Sequence, residues 1–268
     1  MFVAINGVRV FFDVLNPHLD VQEEGLHEKP VMVCIPGGPG GDHQTLRPYF
    51  DRFAGIAQVV YLDPRASGRS EPGDPARWTL DQWADDVAAF CDALGISKPI
   101  VLGVSGGAIL INPSARLDKN VLGEGFGRLG GPAAAAAADA MYTTGAPEDV
   151  PAFFRHCMPH YSRKGAFGPP NAASRARINF EVSRHFFRTG GEAFRFDHRT
   201  SLGNVWCRVL ALIGAHDPVT RPEWGMELVN ALPPDLVESV VFAGASHLIA
   251  ADEPERLSAE IDRFVRSL

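Results

Sequence analysis

The hydrophobic positions of this chain form short continuous runs, separated by stretches in which apolar residues recur every three or four positions. Continuous runs are typical of strands buried on both faces of a sheet, and the spaced pattern is typical of helices with one buried face. The runs predict strands at Val31–Ile35, Gln58–Leu62, Pro99–Val104, Arg208–Ile213 and Leu236–Phe242. The spaced stretches predict helices at Thr45–Phe53, Thr79–Leu94, Pro222–Leu232 and Glu253–Leu268. Alternating strands and helices indicate an α/β protein with a parallel sheet and helices on both faces.

Three other segments depart from this alternation. Phe2–Ile5 and Val8–Val14 flank Asn6-Gly7 and predict a hairpin. The polar, mostly acidic stretch Asn16–Pro30 is interpreted as an exposed loop. Residues 132–203 have no long run of strand type, and they predict an inserted helical cap with a candidate helix at Ala176–Phe187. The core would then consist of residues 1–131 and 204–268.

Composition narrows the class of partner. The net charge of −7 argues against nucleic acid, whose binding normally needs a concentrated basic face. No signal peptide and no apolar run of membrane-spanning length is evident. The cysteines lie far apart and are expected to be buried free thiols: Cys34, Cys91, Cys157 and Cys207. We therefore expect a cytoplasmic protein whose partner is a small-molecule substrate, with neither nucleic acid nor membrane binding.

Three predicted strands are each followed by a residue suited to nucleophilic catalysis. Gly103–Gly107 reads G-x-S-x-G, a sharp strand-to-helix turn that exposes Ser105. Asp217 and His247 follow the last two predicted strands on glycine-containing turns. Taken singly, each has a plain structural alternative: a glycine turn, an Asp-Pro loop residue, or one of nine histidines. Their joint placement predicts that Ser105, His247 and Asp217 meet as nucleophile, base and acid.

A glycine-rich loop, Gly37–Gly41, follows the first buried strand and would complete such a site. Acyl transfer builds negative charge on the substrate oxygen, which backbone N–H groups must meet. Gly106 and Gly38 are the expected donors, with Gly37 as the next candidate. The loop lacks the G-K-[ST] ending of a phosphate loop, and no H-E-x-x-H motif is present. Neither a cofactor nor a metal is expected.

These motifs together resemble the proline iminopeptidase-like branch of the α/β-hydrolases. The motifs that carry the resemblance are Gly37-Gly38-Pro39-Gly40, Asp63-x-Arg65-x-x-Gly68-x-Ser70, the Ser105 turn, Gly214-x-x-Asp217-Pro218-Val219 and Gly244-x-x-His247. The resemblance implies an α/β-hydrolase fold and cofactor-free hydrolysis of a small ester, lactone or N-terminal amide through an acyl-enzyme. An esterase is favoured over a proline iminopeptidase-type enzyme, because no pair of cap carboxylates is convincing. The alternative from another class is a non-catalytic relative that binds a small molecule.

The chain departs from the family pattern at three places. Pro36 stands where the family usually has histidine, and Ala66 where it usually has glycine. Only Ala108 separates Gly107 from the strand-like Ile109–Asn112, so the helix expected after Ser105 is shortened or missing. Either residues 106–111 form a short helical turn, or Ile109–Asn112 is a strand. We expect the helical turn, because it keeps Ser105 presented.

Several other polar residues have a structural and a functional interpretation. Asp63, Arg65 and Arg69 are expected to form an ion-paired turn that braces the glycine loop. His43 is a candidate for substrate binding, or a capping residue. Glu181 is a candidate for holding a substrate ammonium group, or part of a solvated helix face.

Overall fold

The computed structural model describes residues 1–22, 25–104, 108–165 and 175–268. The strands are β1 (Phe2–Ile5), β2 (Val8–Val14), β3 (Leu19–Gln22), β4 (Gly25–Glu28), β5 (Val31–Ile35), β6 (Gln58–Leu62), β7 (Ile100–Val104), β8 (Ile109–Ile111), β9 (Val209–Gly214) and β10 (Val237–Phe242). The helices are α1 (Leu80–Ala93), α2 (Lys119–Thr144), α3 (Val150–His156), α4 (Phe180–Phe187), α5 (Pro222–Ala231), α6 (Ile249–Asp252) and α7 (Pro254–Val265).

Eight strands form one sheet in the order β1-β2-β6-β5-β7-β8-β9-β10. The β1–β2 and β2–β6 pairs are antiparallel, and every pair from β6 to β10 is parallel. Helices cover both faces: Ile261 and Phe264 of α7 pack against one, and Phe90 of α1 against the other. The predicted α/β class, the parallel sheet and the five strands are therefore confirmed, although β10 at the sheet edge is only partly buried.

The local predictions for residues 45–53 and 16–30 are wrong. Residues 45–53 do not form an α-helix; short 3-10 turns lie at His43–Thr45 and Asp51–Gly55. Pro48 lies between these turns and has no N–H for a helical hydrogen bond. The expected loop Asn16–Pro30 contains the hairpin β3–β4, in which Val21 pairs with Leu26. Its alternating apolar positions suffice for a two-stranded ladder that stays exposed.

Residues 113–208, here called the inserted segment, lie between β8 and β9 and contain α2, α3 and α4. Their apolar side chains form a separate cluster around Phe126, Ala138 and Phe153. The helix α2 is kinked at Gly131-Pro132, so the predicted boundary at residue 132 falls at a break inside one helix. The division into core and cap stays a prediction. The candidate helix Ala176–Phe187 begins only at Phe180, after Asn179 caps it.

The segment after β7 resolves one alternative left by the sequence. The expected helical turn is wrong: Ile109–Ile111 is a strand that pairs with both β7 and β9. The strand is favoured because it satisfies the backbone hydrogen bonds of two buried neighbours, which a helical turn would leave unpaired. Residues 105–108 alone therefore join β7 to β8, where adjacent parallel strands normally need a dozen or more. Ser105, Gly106 and Gly107 lie outside the described residues.

The sequence also predicts buried free thiols and no membrane-spanning segment. All the cysteines are free; Cys34, Cys91 and Cys157 are buried, whereas Cys207 is exposed, contrary to expectation. In the part of the chain that the structure describes, no helix is both long and apolar enough to cross a bilayer.

Candidate active site

Asp217 lies in the turn that follows β9, and its carboxylate is held by three donors of the same turn. Oδ1 accepts the backbone N–H groups of Val219 at 2.7 Å and Thr220 at 3.0 Å. Oδ2 accepts the Thr220 hydroxyl at 2.8 Å. The residue is only 3% exposed. These contacts fix the plane of the carboxylate and leave Oδ2 facing the loop after β10.

His247 lies on that loop and completes a pair with Asp217. Its Nδ1 is 2.7 Å from Asp217 Oδ2, so Nδ1–H donates to the carboxylate. The other ring nitrogen, Nε2, is then an acceptor, and the His247 side chain lines a large cavity. The ring of Tyr161 stands edge-on to the imidazole at 5.1 Å between centroids. Burial raises the pKa of the Tyr161 hydroxyl well above its ordinary value, so this neighbour stays uncharged.

Asn112, which the sequence analysis overlooked, ties the Asp217 and His247 loops together. It is fully buried directly after β8. Its Oδ1 accepts Gly214 N–H at 2.7 Å, and its Nδ2 donates to His247 O at 2.7 Å. The two loops also approach closely enough that a Cβ on Gly214 would overlap the Ser246 carbonyl. The signal in the sequence was a polar residue, followed by proline, at the end of a buried apolar run.

Replacing Asn112 with alanine is expected to destabilise the protein and to lower any turnover. The side-chain hydrogen bonds to Gly214 and His247 are lost, and an unsatisfied buried polar group costs about 1–3 kcal/mol. Asn112 also has φ +50°, which adds about 1 kcal/mol of strain for alanine. Asn112→Gly removes that strain and isolates the hydrogen-bond contribution. The free energy of unfolding, measured by denaturant titration, should be highest for wild type, lower for Asn112→Gly and lowest for Asn112→Ala. Equal values for all three proteins would contradict the role of the Asn112 amide.

The glycine loop after β5 lies beside the end of β7. The pairing of Ile35 with Gly103 aligns the two strand ends. Gly37 approaches Val104 so closely that a Cβ there would overlap the Val104 carbonyl. Gly37 and Gly38 both line the same cavity as His247. The structure thus places Gly37 and Gly38 at the same cavity as the His247–Asp217 pair. Ser105 and Gly106 lie outside the described residues.

His43 lies directly after the glycine loop and is not among the described residues that line the cavity. It is buried, and its Nδ1 and backbone N–H contact Asp63 Oδ1 at 2.7 and 2.9 Å. Asp63 Oδ2 accepts Arg69 N–H at 3.0 Å. The predicted ion-paired turn is therefore partly wrong, because Arg65 pairs with Asp86 of α1 through two 2.8 Å hydrogen bonds.

Glu181, the candidate for holding a substrate ammonium, is exposed in the first turn of α4. It is not among the described residues that line the cavity. The structure therefore leaves Glu181 on a solvated helix face, which is the structural alternative that its sequence position allowed.

The inserted segment is fastened to both sides of the site. Leu248 N–H donates to Tyr161 O at 2.7 Å, and Asp252 Oδ1 accepts the Ser162 hydroxyl at 2.6 Å. On the other side, Ile178 forms a β-bridge with Gly41 of the glycine loop. The segment therefore encloses a cavity of about 620 Å³, a size typical of small-molecule sites.

The strand order, and a carboxylate and a histidine on the loops after the last two strands, define the class of protein. The family model described as alpha/beta hydrolase fold matches residues 30–119. The chain has the α/β-hydrolase fold and is similar to proline iminopeptidases. It is thus a hydrolase of α/β fold.

Individual relatives show how far the likeness extends. A putative carbamate hydrolase RutD of Caulobacter vibrioides is 25% identical over 267 residues, which cover 90% of this chain and 93% of the relative. The solved proline iminopeptidase of Mycobacterium smegmatis superposes with a TM-score of 0.74 at 22% identity, covering 100% of this chain and 97% of that one. The enol-lactonase of Burkholderia xenovorans LB400 superposes with a TM-score of 0.69 at 19% identity, covering 99% and 100%.

Proposed function

We propose that this protein is a cytoplasmic serine hydrolase in which Ser105 is the nucleophile, His247 the base and Asp217 the acid. The observation that carries the proposal is the 2.7 Å contact between His247 Nδ1 and the buried Asp217 carboxylate. That contact sets the imidazole tautomer in which Nε2 accepts a proton. Ser105 follows Val104, which lines the same cavity as His247.

The proposed reaction passes through an acyl-enzyme. Ser105 Oγ attacks the substrate carbonyl carbon while His247 Nε2 takes the hydroxyl proton. The resulting oxyanion accepts hydrogen bonds from the N–H groups of Gly106 and of Gly38 or Gly37. Collapse of the tetrahedral intermediate expels the alcohol or amine, which receives the proton from His247. Water then attacks the acyl-enzyme with His247 again as base, and Ser105 is released.

The cavity wall favours an ester or lactone over an N-terminal amide. An aminopeptidase must hold a substrate ammonium group, which needs an unpaired carboxylate. Among the described residues, the one acid on the wall is Asp86, and it is already paired with Arg65. A carbamate, the substrate class in the name of the RutD relative, would react by the same steps. We therefore place a small carboxylic ester first, and a lactone or carbamate next.

A second candidate function is non-catalytic binding of a small molecule. The observation that favours it is the four-residue link, 105–108, between β7 and β8. The helix that follows a nucleophile normally holds the serine backbone and points its N-terminus at the oxyanion. A link of this length has no room for that helix, so a bound ligand could remain uncleaved.

Labelling with a fluorophosphonate probe, followed by mass spectrometry of the labelled peptide, distinguishes these two functions. We expect one covalent adduct, on Ser105, because the probe loses fluoride and phosphonylates only a serine activated by a neighbouring base. Heat-denatured protein is the control and should remain unlabelled. Absence of an adduct would favour the binding protein, and an adduct on a different serine would contradict the assignment of Ser105.

A further inference from the structure

The cavity at His247 continues well past the site, between the sheet and α1. Its wall includes Ile35 and Val101 on the central strands β5 and β7. It also includes Leu80, Trp83 and Val87 on α1. A small ester bound at His247 would leave this deeper part unfilled.

The deep part lies where α1 covers this face of β5 and β7 only in part. Central strands of a parallel sheet are normally buried on both faces. On this face Val33 is fully buried in a cluster with Phe90 of α1, whereas Ile35 and Val101 beside it are only partly buried. The link of residues 105–108 is too short for the helix that normally crosses over such a face. The short link therefore opens an apolar space connected to the site.

We infer that this space binds a long unbranched acyl chain, with the carboxyl or ester group at His247. The wall offers polar side chains at the His247 end, where Thr220 also lies. Arg65 and Asp86 also line the cavity, but each is already satisfied by the other. For hydrolysis of a long-chain ester the inference rests on the proposed function; for binding of the chain it does not.

The rim of the cavity also suits an apolar ligand. Phe154 and Phe180 line the cavity and yet are 50% and 44% exposed. Exposed aromatic side chains grouped at a cavity mark a binding site for an apolar partner. An empty apolar cavity destabilises a fold in proportion to its volume. An acyl chain that fills this cavity therefore stabilises the protein, and this free energy favours its binding. A flexible acyl chain can enter a space enclosed by sheet, helix and inserted segment, whereas a folded protein cannot.

The inference is tested by displacement of a fluorescent polyene fatty acid, cis-parinaric acid, by hexanoate and by decanoate. Each buried methylene adds about fourfold in affinity, so decanoate should displace the probe at least about tenfold more effectively than hexanoate. Ala84→Phe places a ring in the deep part of the cavity from α1 and should weaken decanoate binding about tenfold or more. Ala88→Phe is the matched control, since both alanines are exposed on α1 but only Ala84 lines the cavity.

The outcomes separate this inference from the proposed function. If Ala84→Phe fails to fold, Ala84→Leu compared with Ala88→Leu gives the same test with a smaller side chain. Equal affinities for hexanoate and decanoate, or equal effects at positions 84 and 88, would overturn the inference. Hydrolysis of p-nitrophenyl acetate is measured in parallel. Chain binding without any hydrolysis would refute the serine hydrolase alone; hydrolysis without chain binding would refute the acyl-chain cavity alone.

Discussion

Ester turnover by the Ser105→Ala variant should fall by between about 10³ and 10⁶-fold relative to wild type. The upper figure applies if the catalytic residues and the oxyanion hole are all correctly placed in the wild type, because loss of the serine then removes the covalent route entirely. The lower figure applies if the short link displaces the Gly106 N–H, because one missing oxyanion donor already costs about 10²–10³ in rate. Burst and steady-state kinetics with p-nitrophenyl acetate measure the drop, and the initial burst of the acyl-enzyme should vanish.

Two other serines make this a sharp test of the nucleophile. Ser114 and Ser183 also line the cavity, so either would be accessible to a substrate held there. Neither follows a strand end beside the glycine loop. We expect Ser114→Ala and Ser183→Ala to retain the burst. A burst that persists in Ser105→Ala and disappears in one of these variants would move the nucleophile to that residue.

The parallel strands and the Asp217–His247 pair could be predicted because both depend on local sequence. A continuous apolar run already encodes a doubly buried strand. The turns that follow β9 and β10 must lie at one edge of the sheet, because parallel strands share their direction. The placement of Asp217 and His247 on neighbouring loops at one edge of the sheet therefore follows from the topology.

Other features depend on contacts between distant segments, and the sequence does not reveal these. The amide of Asn112 bonds to Gly214 and His247, about a hundred or more residues away along the chain. Tyr161 reaches His247 only because the inserted segment folds back over the β10 loop. The strand at Ile109–Ile111 agrees with its apolar, β-branched local sequence, and the hydrogen bonds to β7 and β9 stabilise it over the expected helical turn.

The Asp217→Asn variant should lower kcat about 10⁴-fold while the fold is retained. The two backbone N–H groups of Val219 and Thr220 keep a carbonyl oxygen at the Oδ1 position. The amide NH₂ then takes the place of Oδ2, opposite His247 Nδ1. Because NH₂ can only donate, Nδ1 must accept, and the ring proton moves to Nε2. An imidazole with its proton on Nε2 cannot take the proton of Ser105, so the chemical step is slowed at unchanged geometry.

Asp252→Asn is the matched control for this prediction. Asp252 is also buried, and its carboxylate holds the His247 loop through Ser246 N–H at 2.8 Å and the inserted segment through the Ser162 hydroxyl at 2.6 Å. It contacts backbone and hydroxyl donors, not the imidazole, so its replacement should lower the unfolding midpoint more than it lowers kcat. Asp217→Asn should show the reverse: a near-native midpoint and a kcat lower by orders of magnitude. If both variants lose stability and turnover in the same proportion, Asp217 acts only as a structural residue, and the proposed tautomer control by its carboxylate is wrong.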